Sequence, residues 1–88
     1  MRIKKGFILR EIAGNHVVVP VGKATVNFNG IINLNKTGAF LWKQMAEDRT
    51  MEELVKAILD NYNITEEVAK ADVFDFIETL KEAKLLEE

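Results

Sequence analysis

Apolar positions change their spacing near residue 35, and that change divides the chain into a strand-rich part and a helix-rich part. Before it, apolar and β-branched residues come in short runs bounded by turn residues. Residues 7–13 (Phe-Ile-Leu-Arg-Glu-Ile-Ala) and 16–21 (His-Val-Val-Val-Pro-Val) are two such runs, and Gly14-Asn15 between them accepts the positive φ of a two-residue turn. A β-hairpin is predicted there, with Pro20 at a strand end or on an outward edge because it has no amide hydrogen. A second hairpin is predicted from Thr25-Val26-Asn27-Phe28, the turn Asn29-Gly30, and Ile31-Ile32-Asn33-Leu34. Its second arm points Ile32 and Leu34 one way and Ile31 and Asn33 the other. The strand at this joint is expected to offer a free edge to another peptide.

From residue 36 onward the apolar spacing is helical. Asn35 is placed to cap a helix over 36–46, with Ala39, Phe40, Leu41, Trp42 and Met45 making it apolar over most of its circumference. Gly38 in its first turn lets another backbone approach. Thr50 and Glu53 form a capping box for a helix over 51–62, and Asn63 is read as its left-handed terminator. Thr65 caps a third helix over 66–83, whose first turn carries Glu66 and Glu67 at the positive end of the dipole. Leu85-Leu86 is expected to fold back onto the core.

Strands followed by three helices on short turns make an α+β pattern, a winged helix-turn-helix-like arrangement of a small N-terminal antiparallel sheet and three helices. The 88 residues suffice for one domain, 1–88, that buries roughly 60 to 65 percent of its unfolded surface. With no cysteine, disulfides, thiolate metal sites and cysteine nucleophiles are excluded. The N-terminal apolar run stops at Arg10 and Glu11, too soon for a signal peptide, and no segment is long enough to span a membrane. A soluble cytoplasmic protein with no membrane association is expected.

Charge changes the picture more than composition does. Residues 1–49 hold eight Lys or Arg against three acids, and residues 50–88 hold four Lys against eleven acids. On the third helix, at 100° per residue, Ala69, Val73, Phe76 and Leu80 form the inward stripe. Lys70, Phe74, Ile77, Lys81 and Lys84 lie on one flank, and Asp72, Asp75, Glu78, Thr79 and Glu82 on the other. Phe74 either fills a gap beneath a strand, the commoner fate of an off-centre aromatic, or lies exposed among lysines, where it would suit an amphipathic, partly acidic peptide. The acidic flank reads as solvated surface. Residues 66–83 carry six acids and two lysines, which counts against this helix entering a DNA groove, so no nucleic-acid partner is expected.

Nothing in the chain assembles a catalytic constellation. His16 is the only histidine and has no Cys or Ser partner, and the paired glutamates 52–53 and 66–67 are explained by helix starts. The five glycines are isolated, without the spacing of a phosphate-binding loop. A non-enzymatic binding module is expected, with no catalytic residues, metal site or cofactor.

The runs Val17-Val18-Val19-Pro20 and Phe28-Asn29-Gly30-Ile31-Ile32-Asn33-Leu34-Asn35-Lys36-Thr37-Gly38-Ala39-Phe40-Leu41-Trp42, with Leu9-Arg10-Glu11, the Thr50–Leu59 helix and Lys84-Leu85-Leu86, resemble the PqqD family of pyrroloquinoline quinone biosynthesis, whose fold recurs as the RiPP recognition element. The resemblance implies a chaperone that binds the leader of a ribosomally made precursor peptide by strand addition. It then presents the precursor to a maturation enzyme, in that family a radical S-adenosylmethionine enzyme. Carried onto this chain, the edge is Ile31, Ile32, Asn33 and Leu34, and the groove wall is Phe74, Ile77 and Lys81, with Lys70 on the same flank. Two other readings are a winged-helix DNA-binding regulator and a homodimer or structural module whose free edge pairs with its own copy.

Overall fold

A computed structural model describes residues 1–27 and 31–87. Among these residues, nine elements follow in chain order: β1 (Arg2–Ile3), β2 (Phe7–Ile12), β3 (Asn15–Pro20), α1 (Ala24–Asn27), β4 (Ile32–Leu34), α2 (Lys36–Gln44), α3 (Met51–Asn61), α4 (Glu66–Glu82) and β5 (Leu86–Glu87). Strands β2, β3 and β4 form an antiparallel sheet in that order.

The first hairpin forms one residue earlier than the sequence predicts. Ile12 faces Asn15, so the loop is Ala13-Gly14, and both residues have positive φ, 51° and 82°. Right-handed strand twist favours a turn with two such residues, and the chain accepts an alanine there to obtain it. Pro20 is the last residue of β3, as expected for a residue that cannot donate to a ladder.

The predicted second hairpin is corrected. Thr25, Val26 and Asn27 belong to the helical turn α1, not to a strand. Backbone amides of Ala24, Thr25 and Val26 each bond the carbonyl three residues back, and the Thr25 hydroxyl donates to Gly22 O at 2.8 Å. Gly22, at φ 60°, starts the turn, and Val26 is 80% exposed with no core to reach. A four-residue alternation was too short to outweigh these local bonds. Phe28 and the Asn29-Gly30 turn lie outside the described residues.

The caps of the three long helices form as the sequence predicts. Asn35 accepts from Gly38 N, Thr50 and Glu53 make the reciprocal capping box, and Thr65 accepts from Val68 N. Asn63, by contrast, is not left-handed, and α3 ends instead on an extended Tyr62 whose ring meets Phe40 edge-on at 5.3 Å. The left-handed terminator belongs to α4. Lys84 has φ 59°, its amide bonds Lys81 O, and Leu85 N bonds Leu80 O at 2.9 Å, which closes the helix and turns Leu85 fully into the core.

Beyond that turn the chain pairs with its own beginning, Ile3 opposite Leu86 and Arg2 opposite Glu87. Val18 from the sheet, Leu41, Trp42 and Met45 from the α2 region, Leu54 and Ile58 from α3, and Ala69, Val73, Phe76, Ile77 and Leu80 from α4 form one core. No helix among the described residues is long and apolar enough to cross a membrane.

Candidate functional site

Strand β4 lies at the end of the sheet. On one side His16, Val17 and Val18 of β3 face Leu34, Asn33 and Ile32, and on the other side no strand pairs with it among the described residues. Its side chains alternate as the period of a strand requires: Ile32 and Leu34 are half-buried against the core, Asn33 is exposed, and the preceding Ile31 is 58% exposed. Backbone groups along such an edge can pair with a guest strand.

A cleft of about 140 Å³ separates this edge from α4. Asn33, Leu34 and Asn35 form one side, and Asp72, Phe76 and Thr79 the other, with Asp75 at the rim. Its base is tight because residue 38 is glycine: a Cβ there would stand 3.3 Å from the Leu34 Cβ and 3.2 Å from Asn35 Oδ1. The same Asn35 oxygen accepts the Gly38 amide at 2.7 Å, so the cap of α2 and the end of β4 are locked to each other. Phe76 supplies an apolar floor at 5% exposure. Asp72 and Asp75 make no ion pair among the described residues, and Thr79 donates its hydroxyl to Asp75 O at 2.9 Å, leaving an acidic wall.

The structure separates the residues that the sequence grouped. Ile31, Ile32, Asn33 and Leu34 stay together on the edge, but the predicted wall does not face them. Ile77 is 4% exposed and belongs to the core stripe. Lys81 sits beside Lys4, Lys84 and Leu86 near the paired chain ends and approaches Glu78 at 3.9 Å. Lys70 and Phe74 line a different and larger groove, between α4 and α3, where Lys70 pairs with Glu66 at 3.4 Å. Phe74 is 56% exposed, the less common of its two predicted fates. It is the acidic flank that fronts β4. Periodicity fixes which stripe of a helix points inward, but which flank meets a given strand depends on how the helix lies across the sheet.

Asp72, Phe76 and Thr79 therefore enter the site from a flank that the sequence assigned to solvent or core. His16 is a half-buried ladder residue opposite Glu11 and Leu34. No group of three or more His, Asp or Glu side chains among the described residues is placed to hold a metal ion.

The family model described as Coenzyme PQQ synthesis protein D (PqqD) matches residues 15–86. The match begins at the first residue of β3 and takes in β4, α4 and the cleft between them. Two solved structures share the fold. One, TbiB1 in complex with the TbiA(beta) leader peptide, has 24% identity and a TM-score of 0.75, covering 99% of this chain and 95% of that one. The other, lasso peptide synthetase B1 complexed with the leader peptide, has 16% identity and a TM-score of 0.69, covering 92% of this chain and 89% of that one. No curated protein matches the chain.

Proposed function

The chain belongs to the PqqD family, and from that membership we propose that residues 1–88 act as one unit that binds the leader of a ribosomally synthesised precursor peptide and presents it to a modifying enzyme. The observation that carries this reading is the edge of β4, unpaired among the described residues and set beside a cleft whose far wall is α4. Strand addition takes its affinity from main-chain hydrogen bonds and its selectivity from side-chain pockets, so it needs an open edge and a shaped wall rather than catalytic groups. Both neighbours of known structure were solved with leader peptides, which supports the same class of guest here.

The guest lies along Ile31 to Leu34, with alternate side chains directed at Asp72, Phe76 and Thr79. This replaces the wall of Phe74, Ile77 and Lys81 expected from the sequence and reverses its charge. A guest side chain entering this cleft is apolar at the Phe76 floor and neutral or basic toward Asp72. The enzyme that receives the precursor is of the radical S-adenosylmethionine class, by the resemblance to the family, and the encounter takes place in the cytoplasm.

Titration of isotope-labelled protein with synthetic leader peptides of candidate precursors from the same genome tests the reading. Amide shifts should cluster at residues 31–34 and 72–79. Saturable binding with shifts elsewhere, or no binding, would refute strand addition at β4.

A further inference from the structure

Among the described residues, a larger hollow than the cleft beside β4 is present. It lies between α3 and α4 and measures about 810 Å³. Met51, Val55 and Leu59, on successive turns of α3, form one apolar side, and Phe74 rises from the other. Phe74, 56% exposed, stands over half-buried Met51 and Leu59 and buried Val55, an apolar patch that no other element covers among the described residues.

Two features define what can cover it. Both walls are helices whose backbone groups are already satisfied internally, so an extended guest would find no ladder to join, and the complementary shape is another helix. The rim is net negative, with four carboxylates against two lysines. Lys56 pairs with Asp60 at 3.2 Å and Lys70 with Glu66 at 3.4 Å, which cancels both lysines, while Glu52 and Asp75 have no ion pair among the described residues. Two unanswered carboxylates beside an apolar floor favour a basic amphipathic helix. They also oppose a symmetric dimer through this face, which would bring the same carboxylates of two copies together.

We propose that the α3–α4 groove is a second docking surface, which takes an amphipathic helix of the modifying enzyme with an apolar stripe on Phe74 and lysine or arginine facing Glu52 and Asp75. From Met51 to Leu59 the floor runs about 12 Å, so two to three turns of helix fill it. Naming the enzyme as the partner rests on the leader-binding reading; the groove and its charge do not. Asp75 lines both hollows, so α4 is a common wall with the guest strand on one side and the enzyme helix on the other. An adaptor that presents a peptide needs two such surfaces, and one helix thickness, roughly 10 Å, separates them.

The probe is a synthetic helical peptide of about 14 residues with a leucine stripe flanked by lysines, and the same peptide with glutamates in place of the lysines. The basic peptide should bind saturably, with amide shifts at 51–60 and 66–75, and the acidic one should bind at least about tenfold more weakly. Phe74→Asp should weaken the basic peptide by about tenfold or more, and Glu52→Lys should reduce the preference for it. Because Phe74 is exposed, Phe74→Asp should keep its thermal transition and its leader-induced shifts at 31–34, which separates failure at this groove from failure at β4. Equal binding of both peptides, shifts confined to 31–34, absence of saturation, or a dimer in sedimentation that Phe74→Asp abolishes would each overturn the proposal.

Discussion

Phe74 and Phe76, two residues apart on α4, face different hollows: Phe76 is 5% exposed beneath the edge of β4, and Phe74 is 56% exposed over α3. Truncating them should therefore have unequal consequences. Phe76→Ala removes a buried ring from the core and should cost about 3 to 5 kcal/mol of unfolding free energy. Phe74→Ala should cost less than about 1 kcal/mol, in the range of surface substitutions. Urea unfolding of the two variants measures both, and equal losses would mean that Phe74 is packed as core.

Among the described residues, two that are not glycine hold left-handed backbone, Ala13 in the first hairpin turn and Lys84 at the end of α4. That conformation costs an L-residue about 1 to 2 kcal/mol, part of which glycine gives back through the unfolded chain. Ala13→Gly and Lys84→Gly should each raise stability by roughly 0.5 to 1 kcal/mol. The Lys84 gain should be the smaller, because its ammonium near the last turn favours the helix dipole. Denaturation midpoints at constant slope check both, and a loss in either variant would mean that the side chain itself contributes more than the backbone strain removes.

The local signals in this sequence were legible and the relational ones were not. Asn35, Thr50 and Thr65 could be read as caps because a cap is made by residues within four positions of one another. The inward stripe of α4 was legible for the same reason. The stretch from Thr25 is ambiguous because four alternating residues fit a strand or a turn equally well, and the Gly22–Thr25 bond decides between them. The pairing of β1 with β5 joins the first residues to the last, so neither segment signals it alone. The wall of the candidate site is the clearest case. Lys70 and Asp72 are two residues apart, and only the lie of α4 across β4 decides which of them a guest strand would meet.

Gly38 gives a prediction in which two effects oppose each other. Alanine in a helix is favoured over glycine by about 1 kcal/mol. The added methyl, however, would stand 3.2 Å from Asn35 Oδ1 and 3.3 Å from Leu34 Cβ. Neither neighbour moves freely, since Asn35 is the cap of α2 and Leu34 is held in register opposite His16. Gly38→Ala should lower stability by about 1 kcal/mol on balance and shift the amides of residues 33–35. A gain equal to the full helix preference would show that the contact relaxes without cost.

The acidic wall beside β4 fixes the sign of the guest's charge. Asp72 lines the cleft at the edge and not the α3–α4 groove, so it can be changed without touching the second surface. Asp72 is half-buried as a residue and makes no ion pair among the described residues, which leaves its carboxylate available to a cation on the guest. A leader with lysine or arginine at the facing position should bind more weakly as salt is raised from low to high concentration, because the pair is only partly shielded from solvent. Asp72→Lys should weaken that leader by several-fold to about tenfold and improve binding of the same leader with glutamate at that position. Anisotropy titrations of two proteins against two peptides form a double-mutant cycle, and the coupling between Asp72 and the guest residue is read directly from it. A coupling near zero, with both peptides still shifting the amides of 31–34, would leave strand addition standing and remove Asp72 from the recognition of the guest.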